Sequence, residues 1–173
     1  VLKALKGLDV KYVLAGHNIN KYLEYLKTCD GKENLEYLGL VPFNEVVSIH
    51  HRSIAGIAIL KPSRLGQLSE GTLGNQKLFE YMNSGIPVIC SNLKLWKEIV
   101  EGFNCGICVD YDNPRQIREA ILSLIDNPNK AIEMGRNGHL AVEKKYNWNT
   151  QAEHLLNIYS CISVDIVKER MSS

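Results

Sequence analysis

The sequence lacks the short motifs that most often assign a function. It has no G-x-G-x-x-G after its first predicted strand and no G-x-x-x-x-G-K-[ST] anywhere, so ordinary NAD binding and P-loop ATP hydrolysis lose support. The G-x-S-x-G of serine hydrolases and the H-E-x-x-H of zinc proteases are also missing. The five histidines form no recognisable ligand cluster. We therefore predict no metal site.

A charge excess and a long apolar run are missing as well. Lysine and arginine number 20 against 19 acidic residues, a formal net charge of +1, which gives no electrostatic reason to expect nucleic acid or an anionic membrane as a partner. No apolar run approaches the about 20 residues of a membrane span. The N-terminal residues lack the apolar core of a signal peptide. We expect a cytoplasmic chain with no membrane contact of its own.

Cysteine usage gives no reason to expect disulfides or a zinc site. Five cysteines are an odd number in a chain of 173 residues. A chain of this length can bury one sizeable core and does not need disulfide bonds to be stable. Cys105 and Cys108 form a C-x-x-C, but no second pair completes a zinc site. An offset of three in a strand places the two side chains on opposite faces. Free, core-packed thiols are the favoured interpretation.

Short apolar runs alternate with helical periodicity along the chain. Strand patterns occur at residues 9–14, 35–40, 53–60, 86–90 and 105–109. A helical pattern follows each of them, with Asn18 as a predicted cap and Pro42 and Pro114 in first turns. Such alternation implies a parallel sheet with helices on both faces. We predict one doubly wound α/β domain over residues 1–173, with its ligand at the carboxyl ends of the strands.

The most informative stretch runs from Ser69 to Asn92. A polar loop with two glycines leads into a helical pattern, and Gly85 ends that helix before a buried apolar strand. A helix N-terminus beside such a loop can bind an anion such as a phosphate, because its backbone N–H groups are unpaired. The helix also carries Lys77 and Glu80, whose i, i+3 spacing is equally suited to a simple surface ion pair.

The run from Asn75 to Ser91, N-x-K-L-F-E-Y-M-x-x-G-I-P-V-I-x-S, resembles the donor-site segment of GT-B-fold glycosyltransferases. The resemblance is to the retaining enzymes of glycosyltransferase family 4. Further segments resemble this family in the same order along the chain: VKYVLAG, NLEYLGLVPFNEV, an apolar strand ending in KPS, GFNCGICVDYDNP and YNW. The resemblance therefore covers nearly the whole chain.

Similar enzymes have two Rossmann-like domains, with the acceptor bound mostly by the first and the nucleotide sugar by the second. The resemblance implies that residues 1–173 are the second, donor-binding domain, one half of a GT-B fold. It also implies that the first strand and the N-terminal acceptor domain lie outside this chain, so that the chain alone is inactive. The implied donor is a UDP- or GDP-linked sugar, transferred without a metal and without a cofactor.

The resemblance also assigns site residues. Glu80 matches an acid that accepts hydrogen bonds from the ribose hydroxyls. The other donor-binding positions are the diphosphate loop and first helical turn, the segment beside the base, and the exit of the first strand: Gly74, Asn75, Gln76, Lys77, Gly39, Leu40, Gly16 and His17.

One position departs from the family pattern. The first of the family's two glutamates would fall at Thr72, which is not an acid. Glu70 lies two residues earlier and is the candidate catalytic residue in its place. The cations that neutralise the diphosphate in similar enzymes would precede Val1. Lys61 and Arg64 follow a strand and could supply positive charge, or could be ordinary exposed loop cations.

Two alternatives to a glycosyltransferase donor domain stay open. A nucleotide-sugar 2-epimerase has the same overall fold and would act without an acceptor, using acid and base residues across the cleft. A non-catalytic partner domain would keep the fold without the site, and the threonine at position 72 favours it. The sequence does not indicate the sugar, the base, the acceptor or the oligomeric state.

Overall fold

The computed structural model describes residues 1–17, 20–62 and 70–171, and it confirms the predicted α/β class. The helices are α1 (Leu2–Leu5), α2 (Asn20–Leu26), α3 (Phe43–His51), α4 (Gln76–Asn83), α5 (Lys94–Gly102), α6 (Pro114–Asp126), α7 (Pro128–Lys144) and α8 (Trp148–Met171). The strands are β1 (Tyr12–Ala15), β2 (Leu35–Gly39), β3 (Gly56–Ala58), β4 (Val88–Ser91) and β5 (Gly106–Val109). A 3₁₀ turn at Lys32–Asn34 leads into β2. The predicted helix cap at Asn18 lies outside the described residues.

All strand pairs in the described residues are parallel, but they form two sheets. One contains β1 and β2, and the other contains β3, β4 and β5 in that order. In the second sheet, Val88 of β4 lies opposite Gly56 on one side and Gly106 on the other. Sequence patterns predicted a single sheet. The difference arises between β1 and β3, which are not paired with each other.

The third strand is shorter than its apolar sequence suggests, because its two ends bond to other partners. Near its start, the N–H of Ser53 donates to the carbonyl of His50 at the end of α3. After its end, the N–H of Leu60 donates to the Ser91 hydroxyl, which in turn donates to the Leu60 carbonyl. Only Gly56–Ala58 is therefore left to pair with β4.

The core surrounds β4, all four of whose residues are buried. Successive strand residues point to opposite faces of a sheet. Val88 and Cys90 accordingly pack with side chains of α4 and α5, whereas Ile89 packs with residues of α1 and α6. This arrangement confirms the prediction of helices on both faces. It also places the start of α4 at the edge of the sheet where the strands end. None of the described helices has the length and apolarity that a bilayer crossing requires.

Candidate functional site

The N-terminus of α4 has a side-chain cap and leaves backbone donors of its first turn unpaired. Asn75 caps the helix, and its Oδ1 accepts a hydrogen bond from the N–H of Leu78 at 3.3 Å. The N–H groups of Gln76 and Lys77 have no acceptor within the helix, as in any first helical turn. Both side chains are exposed. Two backbone donors and the positive end of the helix dipole therefore remain available to a ligand.

The loop before α4 is held in place by α5. The N–H of Leu95 donates to the Glu70 carbonyl at 2.8 Å, and the indole Nε1–H of the fully buried Trp96 donates to the Thr72 carbonyl at 3.0 Å. Gly71 lies against the Trp96 indole with φ +94°, where a Cβ would come within 2.9 Å of the ring. The buried Trp96 therefore fixes the position of the loop that leads into α4.

Thr72, the residue that stands where an acid was expected, has a structural role in this loop. Its Oγ1 accepts a hydrogen bond from the N–H of Gly74 at 3.0 Å, a local turn of the kind that threonine hydroxyls form. The Gly74 N–H, one of the predicted diphosphate donors, is therefore engaged in this structure. The amides of Gln76 and Lys77 are the better placed donors.

Glu80 lies one turn further along α4 and lines a cleft together with Lys77 and Tyr81. Its side chain is half-buried. Lys77 and Glu80 do not form an ion pair, although the sequence allowed one; the salt bridges among the described residues lie elsewhere. The carboxylate of Glu80 thus keeps its hydrogen-bonding capacity for a ligand.

His50 of α3 faces the same part of α4. Its Nδ1 lies 2.9 Å from the Ser84 hydroxyl, and its ring meets that of Tyr81 edge-on at 5.0 Å. Burial lowers the pKa of His50, and the nearby Glu80 carboxylate opposes part of that effect. Burial also raises the pKa of Tyr81 to about 12. The imidazole of His50 and the phenol of Tyr81 are therefore both uncharged at neutral pH.

The carboxyl ends of β1 and β2 bring two further predicted residues together. The N–H of Gly16 donates to the Gly39 carbonyl at 2.8 Å, and the Tyr37 hydroxyl donates to the Gly16 carbonyl at 2.9 Å. Gly39 has φ +70°, a conformation that favours glycine. His17 and Leu40, the residues that follow each glycine, are exposed. These four residues form the end of the first sheet.

Among the described residues, no hydrogen bond or ion pair connects Glu70, the predicted catalytic residue, with α4, the helix that carries Glu80. Its side chain is exposed, and its backbone carbonyl bonds to α5. Lys61 is exposed too, and Arg64 lies outside the described residues. In the described part of the chain, no group of three or more His, Cys, Asp or Glu is arranged to hold a metal ion. The catalytic role of Glu70 stays a prediction.

Sequence patterns did not indicate the contribution of Trp96 or of His50. Trp96 lies on the apolar stripe of α5 and is indistinguishable in sequence from any core residue. His50 lies in the last turn of α3, where a histidine is common because it complements the helix dipole. Only their partners, the Thr72 carbonyl and the α4 side chains, reveal that they border the site.

Comparison with known proteins identifies the family. Residues 1–141 match the family model described as glycosyl transferases group 1. An uncharacterized glycosyltransferase of Methanocaldococcus jannaschii, MJ1178, is 27% identical over 165 residues, covering 94% of this chain and 44% of the relative. The chain spans between 22% and 44% of the length of the curated relatives that it matches.

Solved structures agree on the fold. Anabaena HepE in complex with UDP superimposes with a TM-score of 0.74 at 16% identity, covering 91% of this chain and 43% of HepE. The C-terminal domain of the glycosyl transferase LpcC from Francisella tularensis gives a TM-score of 0.65 at 19% identity, covering 85% of this chain and 77% of that domain. At these identities the likeness establishes the Rossmann-like GT-B architecture. This chain is a GT-B domain that belongs to the glycosyl transferases group 1 family.

Proposed function

We propose that this chain is the donor-binding domain of a retaining glycosyltransferase that uses a nucleotide-diphosphate sugar. The observation that carries the proposal is the start of α4, where the unpaired amides of Gln76 and Lys77 lie one turn before the half-buried Glu80. The amides could bind an anion, and the Glu80 carboxylate one turn later could accept hydrogen bonds from hydroxyl groups. HepE, a structural neighbour, has been solved with UDP and with UDP-glucose, which supports a donor of this class.

In the proposed reaction, the diphosphate accepts hydrogen bonds from the two α4 amides, and the Lys77 ammonium adds positive charge. As the bond between the anomeric carbon and the diphosphate oxygen breaks, negative charge grows on that oxygen. Preorganised amides stabilise this charge more than they stabilise the ground state, which lowers the barrier. Because the helix end and the lysine supply the positive charge, the proposal requires no metal.

The remaining predicted residues take positions around the donor. Glu80 accepts hydrogen bonds from the ribose hydroxyls, and the strand-end segments Gly16–His17 and Gly39–Leu40 lie beside the nucleoside. Glu70 is assigned to the sugar side of the donor loop. We assign acceptor binding to a second domain outside residues 1–173, so that this chain binds the donor but does not transfer the sugar alone.

Substitution of Glu80 in the full-length protein tests the proposal. Glu80→Gln and Glu80→Ala should weaken the binding of UDP or GDP by about 10- to 100-fold, the equivalent of about 1.5–3 kcal/mol for a charged hydrogen-bond partner. Isothermal titration calorimetry with both nucleotides gives the affinities and identifies the base. Glu133→Gln removes the same charge from an exposed position on α7 and serves as the matched control.

The outcomes separate the alternatives. Unchanged nucleotide affinity in both Glu80 variants would contradict the assignment of Glu80. A wild-type protein that binds neither UDP nor GDP nor their sugar conjugates would favour a non-catalytic partner domain. Conversion of a nucleotide sugar to its 2-epimer without any acceptor would favour the epimerase.

A further inference from the structure

Two cysteines lie side by side on neighbouring strands of the second sheet. Cys90 of β4 is paired in register with Cys108 of β5, so the two side chains point to the same face of the sheet. Both pack on the side of α5. Their Sγ atoms are 3.7 Å apart and share a hydrogen bond, and neither is part of a disulfide. The fold therefore brings two free thiols into contact that are 18 residues apart in sequence.

The C-x-x-C motif in the sequence indicated a different pair. It contains Cys105 and Cys108, yet the hydrogen-bonding partner of the Cys108 thiol is Cys90. Cys105 precedes β5 and is fully buried, with its N–H donating to the carbonyl of Val100 in α5. Burial raises the pKa of the Cys105 thiol to about 12. Because only thiolates are good nucleophiles, Cys105 is a core thiol of low reactivity.

The two thiols in contact differ in their surroundings. Cys90 is fully buried, whereas Cys108 is partly exposed on β5, the outer strand of this sheet among the described residues. The hydrogen bond from Cys90 lowers the pKa of Cys108, and the Lys97 ammonium acts in the same direction, against the effects of burial and of the Glu101 carboxylate. The same hydrogen bond, together with burial, raises the pKa of Cys90. Cys108 is therefore the more nucleophilic and the more accessible of the two thiols.

The spacing of β4 and β5 suits a bond between the two sulfurs. Neighbouring strands lie about 4.8 Å apart, which falls within the roughly 4.4–6.8 Å that separates the Cα atoms of disulfide-bonded cysteines. The strands therefore need not separate for a disulfide to form. In the part of the chain that the structure describes, no third His, Cys, Asp or Glu joins the pair to hold a metal ion. The arrangement fits redox chemistry better than metal binding.

We propose that Cys108 and Cys90 are a reversible oxidation site for hydroperoxides, in which Cys108 reacts with the peroxide and Cys90 completes a disulfide. The proposal does not depend on which ligand the protein binds.

With hydrogen peroxide the reaction has two steps. The Cys108 thiolate attacks one peroxide oxygen, so that an S–O bond forms, the O–O bond breaks, and the departing hydroxide takes up the proton that Cys108 released. The Cys90 sulfur then attacks the sulfur of the Cys108 sulfenic acid. The S–S bond forms, the S–O bond breaks, and the hydroxide leaves as water with the Cys90 proton. In total the two thiols lose two electrons and two protons, and the peroxide is reduced to two waters.

Cys90 gives this site a property that a single thiol lacks. A sulfenic acid that meets more peroxide is converted to a sulfinic acid, which ordinary thiol reductants do not reverse. The Cys90 sulfur lies 3.7 Å from the Cys108 sulfur, so the disulfide forms before a second peroxide reacts. Exchange with a small dithiol then restores both thiols. Oxidation of Cys108 is therefore reversible as long as Cys90 is present.

Peptide mapping of the full-length protein tests the pair. The protein is treated with hydrogen peroxide, the remaining thiols are alkylated, and trypsin, which cleaves after lysine and arginine, is applied without reductant. Residues 78–94 and 98–115 should appear as one cross-linked species that dithiothreitol separates into two peptides. Before the cross-link forms, Cys108 should be oxidised at least about tenfold faster than Cys105. Absence of the cross-link, or equal oxidation of Cys105 and Cys108, would overturn the proposal.

Two variants identify which cysteine of the second peptide is linked to Cys90. Cys105→Ser should retain the cross-link, and Cys108→Ser should abolish it. A cross-link that persists in Cys108→Ser, or one that joins Cys105 to Cys108 in the wild-type protein, would overturn the proposal.

Replacement of Cys90 tests its separate role. In Cys90→Ala, the share of oxidised Cys108 that dithiothreitol cannot reduce should rise at least about tenfold over wild type, because the sulfenic acid has no second thiol to attack it. Mass spectrometry of residues 98–115 measures this share. Cys105→Ala makes the same truncation at another fully buried cysteine and should leave the share unchanged. Equal shares in wild type and Cys90→Ala would overturn the proposal.

Discussion

The two sheets of this domain have similar strand sequences and very different burial. All four residues of β4 are buried, and the helices around it contribute fully buried side chains such as Leu78 and Trp96. Between Lys11 and Ala55, by contrast, the only buried residues among those described are Gly31 and Asn34. The apolar run of β1 is half-buried at best. Among the described residues, β4 has a strand at each of its edges, whereas β1 has one only at the edge that faces β2.

The candidate site lies where the two regions meet. Glu80 and Lys77 come from α4 of the well-packed region, whereas Gly16 and Gly39 end the strands of the other sheet. His50 of α3 contacts Ser84 and Tyr81 of α4 across this junction.

The largest expected effect is on the free energy of unfolding, when a leucine is replaced by alanine in the second sheet region and, for comparison, in the first. Leu78→Ala should lower the free energy of unfolding of the 173-residue chain by about 2–5 kcal/mol, because Leu78 is fully buried. Leu14→Ala should cost about 1 kcal/mol, because Leu14 is half-buried beside the cleft. Urea denaturation measures both. Equal costs at the two positions would contradict the comparison.

A smaller effect is expected from removing helix caps, and it distinguishes the candidate site on α4 from a helix elsewhere in the well-packed region. Asn75 and Asn113 cap α4 and α6 in the same way, with Oδ1 to N–H distances of 3.3 and 3.2 Å. Alanine at either position should cost about 1 kcal/mol of stability. Only Asn75→Ala should also weaken the binding of UDP or GDP to the full-length protein, since only α4 begins at the proposed diphosphate site. Calorimetry that shows equal affinity for the two variants would argue against that site.

The smallest effect concerns the junction between the regions. Burial holds the pKa of His50 below its ordinary value of 6.5, so below that pH the unfolded chain takes up the proton more readily than the folded chain. The contribution of His50 to stability is complete above pH 6.5 and decreases as the pH falls toward the folded-state pKa. His50→Gln should therefore reduce the loss of unfolding free energy between pH 7.5 and about 5.5. An unchanged pH profile would contradict the lowered pKa of His50.

The order and type of the secondary-structure elements could be predicted because they depend on local patterns. The apolar run at residues 86–90 overlaps β4, and the helical stripe of Leu78 and Met82 lies in α4. Residues 53–60 were predicted as one strand, yet only Gly56–Ala58 pairs. The backbone of Leu60 bonds to the Ser91 side chain, which is 31 residues distant in sequence. A local sequence pattern cannot indicate a partner that lies so far away along the chain.

In the candidate site, too, some features could be predicted from the sequence and others depend on the tertiary structure. Family resemblance located α4 and its Glu80, and those assignments stay predictions until binding is measured. The sequence could not show that Thr72 closes a turn on Gly74, or that the Trp96 indole holds the Thr72 carbonyl. A hydroxyl or an indole can bond to many partners, and the chain path decides which one lies within reach.

By itself, the sequence determined the α/β class and the starts of helices such as α4 and α6, because apolar periodicity and capping residues act over a few positions. Tertiary structure alone decided that the strands form two sheets with an open cleft between them. Strand pairing joins residues that are distant along the chain. Whether a strand edge is paired therefore depends on which strand lies beside it in space. The apolar sequence of β1 does not indicate that neighbour.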